Sequence, residues 1–252
     1  MLTLPGSTVV APDTETLFEK LGEALMSSAV DAVEQRGVFH LALSGGGTPE
    51  PFYVRLVTDP KFRAIPWDKT HLWVVDERQV PEDHNKSNWK MLREALVDHL
   101  TTPADQLHPM PVMDEDPANV YEAAMEAAFG LKVSDGEFPK LDFVLLGMGG
   151  DCHTASLFPE SPALKSDRWI SENDGEKVVP PPRLTMTYPL LNAARQLAVL
   201  VVGKGKYAAL GRVHDLHEAE HVDATNVPIS GIEPTHGTLT WYGDHAALGV
   251  SD

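Results

Sequence analysis

The chain has 252 residues, 42% of them hydrophobic, enough to bury a sizeable core, and its formal net charge is -17. That charge, with no strong basic cluster against it, speaks against a nucleic-acid or anionic-membrane surface, so an anionic small ligand would need a local cationic pocket. One cysteine excludes an intrachain disulfide and a tetrathiolate metal site; with no apolar run near a membrane span and no signal-like N-terminus, a soluble cytoplasmic protein is expected.

In chain order, residues 13–36 predict a helix. Phe18, Leu21, Leu25 and Val33 recur at helical spacing, Asp13 or Thr16 can cap the start, and Gly37 can end it. Residues 38–43 predict a short strand. Ser44, Gly45, Gly46, Gly47 and Thr48 follow, and Pro49 suits the first turn of a helix running through residues 53–57. A strand, glycine loop and helix in succession aim free backbone N–H groups at one spot, which favours phosphate. The stretch is no Walker loop, since GK[ST] is missing, and GxGxxG fails at Glu50. A glycine turn without a ligand is the plain alternative.

Residues 71–75 predict a buried strand that delivers Asp76, Glu77 and Arg78 to its carboxyl end, on the same rim as the glycine loop. Arg78 can fork onto a phosphate or carboxylate; the alternative is a rim salt bridge among the three. Ser87 can cap a helix that turns Trp89, Leu92 and Leu96 inward. Residues 103–113 read as a short strand or a covering loop. Asp116 and Pro117 open another helix, with Val120, Ala124 and Ala127 on its buried side and Gly130 past its end.

Residues 141–146 are apolar except for Asp142 and suit a parallel strand buried on both faces. Gly147, Gly149 and Gly150 then permit a tight turn, and Asp151, Cys152 and His153 follow at once. An acid beside an imidazole at the carboxyl end of a buried strand sits where open α/β sheets bind ligands, so His153 is the candidate general base. Residues 161–175 read as a polar surface excursion. The prolines at 180–182 restrict the chain before Arg183 and the strand-like run LTMTY. Residues 196–202 form an apolar strand ending at Gly203, with Lys204 or Lys206 placed to meet an anion, and residues 238–242 form a closing strand. The whole is an α/β fold: one doubly wound domain over residues 1–252, with a mostly parallel sheet flanked by helices.

His217, Glu218 and His221 spell HExxH, with His214 nearby. A zinc site would need a buried helix and a third ligand; the acidic surroundings predict a solvated helix end, and no metal is expected.

LSGGGTP, DERQVP with SN soon after, GMGxDxHTASLFP, PRLTMT and a Gly-x-x-Lys turn, in that order, resemble the 6-phosphogluconolactonase family of the pentose phosphate pathway, over residues 43–241. The resemblance implies a fold related to glucosamine-6-phosphate and ribose-5-phosphate isomerases. It also implies hydrolysis of 6-phospho-D-glucono-1,5-lactone to 6-phospho-D-gluconate. Residue by residue it carries over His153 as base, Asp151 as its acidic neighbour, Arg78 and Arg183 as arginines of the site, and Lys206 rather than Lys204. Residues 44–48 then cradle the phosphate. No metal or organic cofactor is expected; the partner is a phosphosugar lactone, and the chain a monomer or weak homo-oligomer. Backbone N–H groups of 149–153 or Arg183 are the candidate oxyanion donors.

One departure stands out, because the family usually has glycine where this chain has Cys152. If φ is positive there, a side chain costs on the order of 1 kcal/mol and can tilt the imidazole. A nucleophilic Cys152 is the rival mechanism and an inert cysteine the plain one; neighbouring side chains diverge and a δ-lactone yields to activated water, so water is the expected nucleophile. Two other functions stand beside hydrolysis. One is a sugar-phosphate-binding protein that has lost turnover through Cys152. The other is an amino-sugar phosphate isomerase or deaminase, whose usual IAFNEP-like continuation is replaced here by TASLFPES. GxSxG is absent, so no serine esterase elbow is expected.

Overall fold

Apolar runs of four to six residues, cut off by glycine or a polar residue, make strands that are short and buried on both faces. In a computed structural model, which describes residues 2–174 and 182–250, the chain runs β1 (Ser7–Ala11), α1 (Thr14–Arg36), β2 (Phe39–Leu43), α2 (Glu50–Thr58), β3 (Thr70–Val74) and β4 (Asp76–Arg78). It continues through α3 (Asn88–Ala95), β5 (Leu107–His108), α4 (Pro117–Phe129), β6 (Phe143–Gly147), β7 (Ile170–Asn173), β8 (Arg183–Met186) and α5 (Tyr188–Asn192). The last elements are β9 (Gln196–Val201), α6 (Tyr207–Glu218), β10 (Thr238–Asp244) and α7 (His245–Leu248). Seven strands form one parallel sheet in the order β1-β10-β9-β6-β2-β3-β5. Antiparallel β4, β8 and β7 form a second, smaller sheet.

The predicted punctuation holds at atomic detail. Asp13 accepts from Thr16 N (2.7 Å) to cap α1, and Gly37 ends it at φ 78°, the left-handed conformation that glycine adopts without strain. Ser87 caps α3 through Lys90 N (3.1 Å), and Gly130 ends α4 at φ 66°. Asp142, the one charge in its apolar run, accepts from His40 N (2.8 Å) and pairs with Arg36 (2.9 Å) and Arg195 (3.2 Å). A buried carboxylate with three donors is satisfied.

Four expectations need correction. Asp76–Arg78 is not a loose strand end; it is β4, paired with β8 in the second sheet. On α4 the buried side is Pro117, Ala118, Tyr121, Glu122 and Met125, while Val120 is exposed. The face is set by polar anchors: Tyr121 Oη takes the N–H of Val74 (3.0 Å), and Glu122 pairs with Arg168 (2.6 Å). The stretch 161–174 is no surface excursion, since Ala163, Trp169, Ile170 and Asn173 are buried and β7 joins the second sheet. Its polarity is absorbed by bonds such as Trp169 Nε1 to Glu137 O (2.9 Å). Finally, β10 does not close the sheet but lies between β9 and β1, an edge strand that the sequence reading passed over. Gly175, Pro180 and Pro181 lie outside the described residues. No helix among those described is long and apolar enough to cross a membrane.

Candidate active site

From β2 the sheet grows one way through β3 to β5, and from β6 it grows the other way through β9 and β10 to β1. The order reverses between β2 and β6, and a crevice opens there at the carboxyl ends of the strands. Both glycine turns emerge at this point. A cleft of about 360 Å³ lies between them, bordered by residues 44–48, Asp76, Arg78, Asn88, Gly149, His153, Ser156, Phe158, Arg183 and Lys206. A second lobe of about 470 Å³ continues past Gly46, Gly47, Arg78, Asn88 and Arg183.

The first turn is shaped by its glycines. Gly46 has φ 110°, and a Cβ on Gly45 would run into the Asn88 amide. Tyr53 Oη donates to Ser44 O (2.6 Å), tying the loop to α2, the helix that follows it.

Beside the loop, Glu77 does not pair with Arg78 at the rim. Its buried carboxylate accepts from Arg78 N (2.7 Å), Asn88 N (2.7 Å), Trp89 N (2.8 Å) and Ser87 Oγ (2.9 Å), and so fastens β4 to the start of α3. Burial pushes its pKa up, against the pull of those donors. Arg78 is thereby left to face the cleft, its Nη1 donating to Lys86 O (2.7 Å). Directly across the ladder stands Arg183. Burial, reinforced by Arg78 and partly offset by Asp76 and Glu77, holds Arg183 below the ordinary guanidinium range. Like charges opposite one another in a sheet destabilise it. An anion between them reverses that sign.

The second turn holds the imidazole. His153 Nδ1 lies 2.6 Å from Asp151 Oδ1, and the same oxygen accepts from His153 N (3.2 Å). The imidazole bond pulls Asp151 down to about 2, so it is ionised at any working pH and holds Nδ1 as the donor. In the neutral ring, Nε2 then carries the lone pair. The turn must be glycine at 149, where a Cβ would strike both His153 Nδ1 and Asp151 Oδ1. Phe158 flanks the ring at 4.6 Å between centroids, with the Arg183 guanidinium 5.7 Å over Phe158. Lys206 Nζ donates to Met148 O (2.6 Å) across the cleft mouth, whereas Lys204 does not border the cleft.

Nine of the predicted site residues, Ser44, Gly45, Gly46, Gly47, Thr48, Arg78, His153, Arg183 and Lys206, thus border one cleft; Asp151 stands behind the imidazole. The sequence reading put Asp76 on this rim without giving it a role in the site, and it missed the cleft-facing places of Asn88, Ser156 and Phe158. Asn88 and Ser156 lie within the SN and TASLFP motifs, which was the available signal. Cys152 does have positive φ, 70°, and its Sγ is buried, 3.5 Å from Ala209 O. Burial pushes the thiol up, the wrong direction for a nucleophile. The HExxH run is split, since α6 ends at Glu218 and His221 lies beyond it, and the described residues contain no group of three metal ligands.

A parallel sheet with paired glycine turns at its switch point is a fold shared with sugar-phosphate isomerases and deaminases. A monomeric glucosamine-6-phosphate deaminase superposes with a TM-score of 0.74 at 19% identity, over 97% of this chain and all of that one, which establishes the common fold. The chain belongs to the family described as glucosamine-6-phosphate isomerases/6-phosphogluconolactonase, whose sequence profile matches residues 12–241. It is 40% identical to a 6-phosphogluconolactonase of Nostoc sp. over 94% of this chain and 95% of that protein. It is 34% identical to the 6-phosphogluconolactonase of Mycobacterium tuberculosis, over 97% and 98% respectively. The 6-phosphogluconolactonase of Trypanosoma cruzi superposes with a TM-score of 0.81 at 26% identity, over 98% of this chain and 97% of that one.

Proposed function

We propose that this chain hydrolyses 6-phospho-D-glucono-1,5-lactone to 6-phospho-D-gluconate. The full-length relatives that carry that activity in their names support the reaction. The observation that carries it to particular residues is the oriented imidazole of His153 on the same cleft as the arginine pair and the glycine loop.

In this reading the phosphate settles against residues 44–48, with Arg78 forking onto it and Lys206 closing the mouth. Binding energy from that remote end orients the lactone carbonyl toward His153. His153 Nε2 takes a proton as water adds to C1, and Asp151 steadies the imidazolium that forms. The tetrahedral oxyanion is held by Arg183 or by backbone N–H groups of the 149–153 turn other than those of Gly149, Cys152 and His153, which are spent within the turn. When it collapses, the C1–O5 bond breaks and the imidazolium returns the proton to the departing ring oxygen. No metal or organic cofactor takes part. One chain supplies every group named here, and in this reading it is a single domain, monomeric or weakly associated, acting in the cytoplasm.

The test sets two substrates against each other. Freshly made lactone should be consumed well above its spontaneous rate while glucosamine 6-phosphate is neither isomerised nor deaminated. The opposite pattern would move the chain to the isomerase and deaminase branch, and tight binding of 6-phosphogluconate without turnover would make it a binding protein.

A further inference from the structure

The two acids of β4 have been treated very differently. Glu77 faces the start of α3 and receives four hydrogen bonds. Asp76, on the opposite face of the strand, receives one, from Ser156 Oγ to Oδ2 at 2.6 Å, although it is only 6% exposed. Its other oxygen, Oδ1, has no hydrogen-bond partner among the described residues, and Asp76 borders the cleft. A carboxylate taken this far from water costs free energy unless its lone pairs are filled. Oδ1 is open to the cleft, where a donor carried by a bound molecule can fill it.

The surroundings are built to hold this acceptor still. Asn88 Nδ2 donates to Asp76 O (2.6 Å). Ser156 is pinned on both sides, its N donating to Thr185 Oγ1 (3.1 Å) and its O accepting from Asn173 Nδ2 (2.7 Å). Thr185 and Asn173 are fully buried, and Thr185 is the ladder partner of Asp76. Because Ser156 spends its proton on Asp76, its oxygen is left as an acceptor. The pair therefore presents two acceptors and no donor. Such a wall suits hydroxyl groups and repels a phosphate.

We infer that Asp76 and Ser156 form the wall that reads the ring hydroxyls of the sugar lactone and fixes which way round it binds. The inference rests on the lactonase reading and deepens it. A ring hydroxyl donates to Asp76 Oδ1, a second donates to Ser156 Oγ, and the phosphate is driven to the Arg78 and Lys206 side. A site that hydrogen-bonds a substrate hydroxyl discriminates sharply against the analogue lacking it, because its own buried groups are then left unpaired.

The experiment compares 6-phosphogluconolactone with its 2-, 3- and 4-deoxy analogues on wild type, Asp76→Asn and Ser156→Ala. Taking each substrate's variant-to-wild-type ratio cancels differences in intrinsic reactivity. For Asp76→Asn, kcat/KM on the parent should fall by about 100-fold, while at least one deoxy analogue stays within about threefold of its wild-type value. Ser156→Ala should show the same convergence with a smaller fall. A common factor on the parent and all three analogues, or discrimination left intact, would overturn the inference. If wild type does not turn over the lactone, the lactonase reading fails on its own, and calorimetry with 6-phosphogluconate and its deoxy acids decides the wall instead: the preference for the full hydroxyl set should vanish in Asp76→Asn. If Asp76→Asn does not fold, Ser156→Ala carries the comparison.

Discussion

Cys152 shows how much one side chain can change without moving its neighbours. At φ 70° a side chain is strained by about 1 kcal/mol, yet His153 next to it keeps its bond to Asp151. The buried Sγ recovers part of that cost by packing. Cys152→Gly should therefore alter stability by less than about 1 kcal/mol and leave kcat within about twofold, since lost packing and the freer unfolded chain offset the relieved strain. A thiol-alkylating reagent should spare wild-type activity, which inactivation at the rate of an exposed thiolate would contradict. Asp151→Asn replaces the charged acceptor with an amide that can donate to Nδ1 and so favour the wrong tautomer of the ring, and kcat should drop by about 100-fold with KM little changed. Equal losses in binding of 6-phosphogluconate would show instead that Asp151 shapes the cleft. These residues were legible because acid and imidazole are two positions apart. The role of Asp76 was not, because the hydroxyl that holds its Oδ2 belongs to a serine 80 positions away.

At the level of elements, the short buried strands and the capped helices could be read directly, as could the glycine turns that follow β2 and β6. What failed was any feature decided by distant polar partners. The buried face of α4 follows Tyr121 and Glu122, not its apolar period, and β4 and β7 are strands only because β8 lies between them. The turn after β6 depends on glycine in a way that can be tested. Gly149→Ala drives a Cβ into the Asp151–His153 pair and should cost about 100-fold or more in kcat while leaving the melting temperature within a few degrees. The ladder of β4 and β8 makes a second prediction, because Arg78 and Arg183 stand opposite one another beside the cleft, where an anion can meet both. Saturating 6-phosphogluconate, at about 100 times its Kd, should stabilise wild type by roughly 2.7 kcal/mol, and Arg78→Ala should lose most of that effect at the same concentration. An unchanged ligand-induced shift in Arg78→Ala would place the phosphate elsewhere.

Across the whole molecule, the candidate site gathers at the carboxyl ends of the parallel strands, and a separate cluster holds one buried and two half-buried histidines. His40 stacks on Phe129 and accepts from Trp73 Nε1 (3.3 Å), while His71 Nδ1 and His108 Nε2 lie 2.9 Å apart. Burial, with the neighbouring histidines, pushes His40 down to about 3 and His108 to about 4. Between those values and the ordinary 6.5 the unfolded chain binds more protons than the folded one, so stability falls as pH drops through this window. The slope should approach about 1.4 kcal/mol per pH unit for each such histidine, and a flat denaturation midpoint from pH 7 to 4 would contradict it. The convergence of residues 44–48, Arg78 with Arg183, and His153 on one crevice is the property on which the proposed function depends; the sequence put them on one rim, and the strand order shows how they meet. The most direct measurement is hydrolysis of freshly generated 6-phosphogluconolactone, corrected for spontaneous opening, by wild type and His153→Ala under identical conditions. Wild type should accelerate opening, and His153→Ala should lose at least about 100-fold in kcat while still binding 6-phosphogluconate. Equal rates for the two proteins would contradict the assignment of the base.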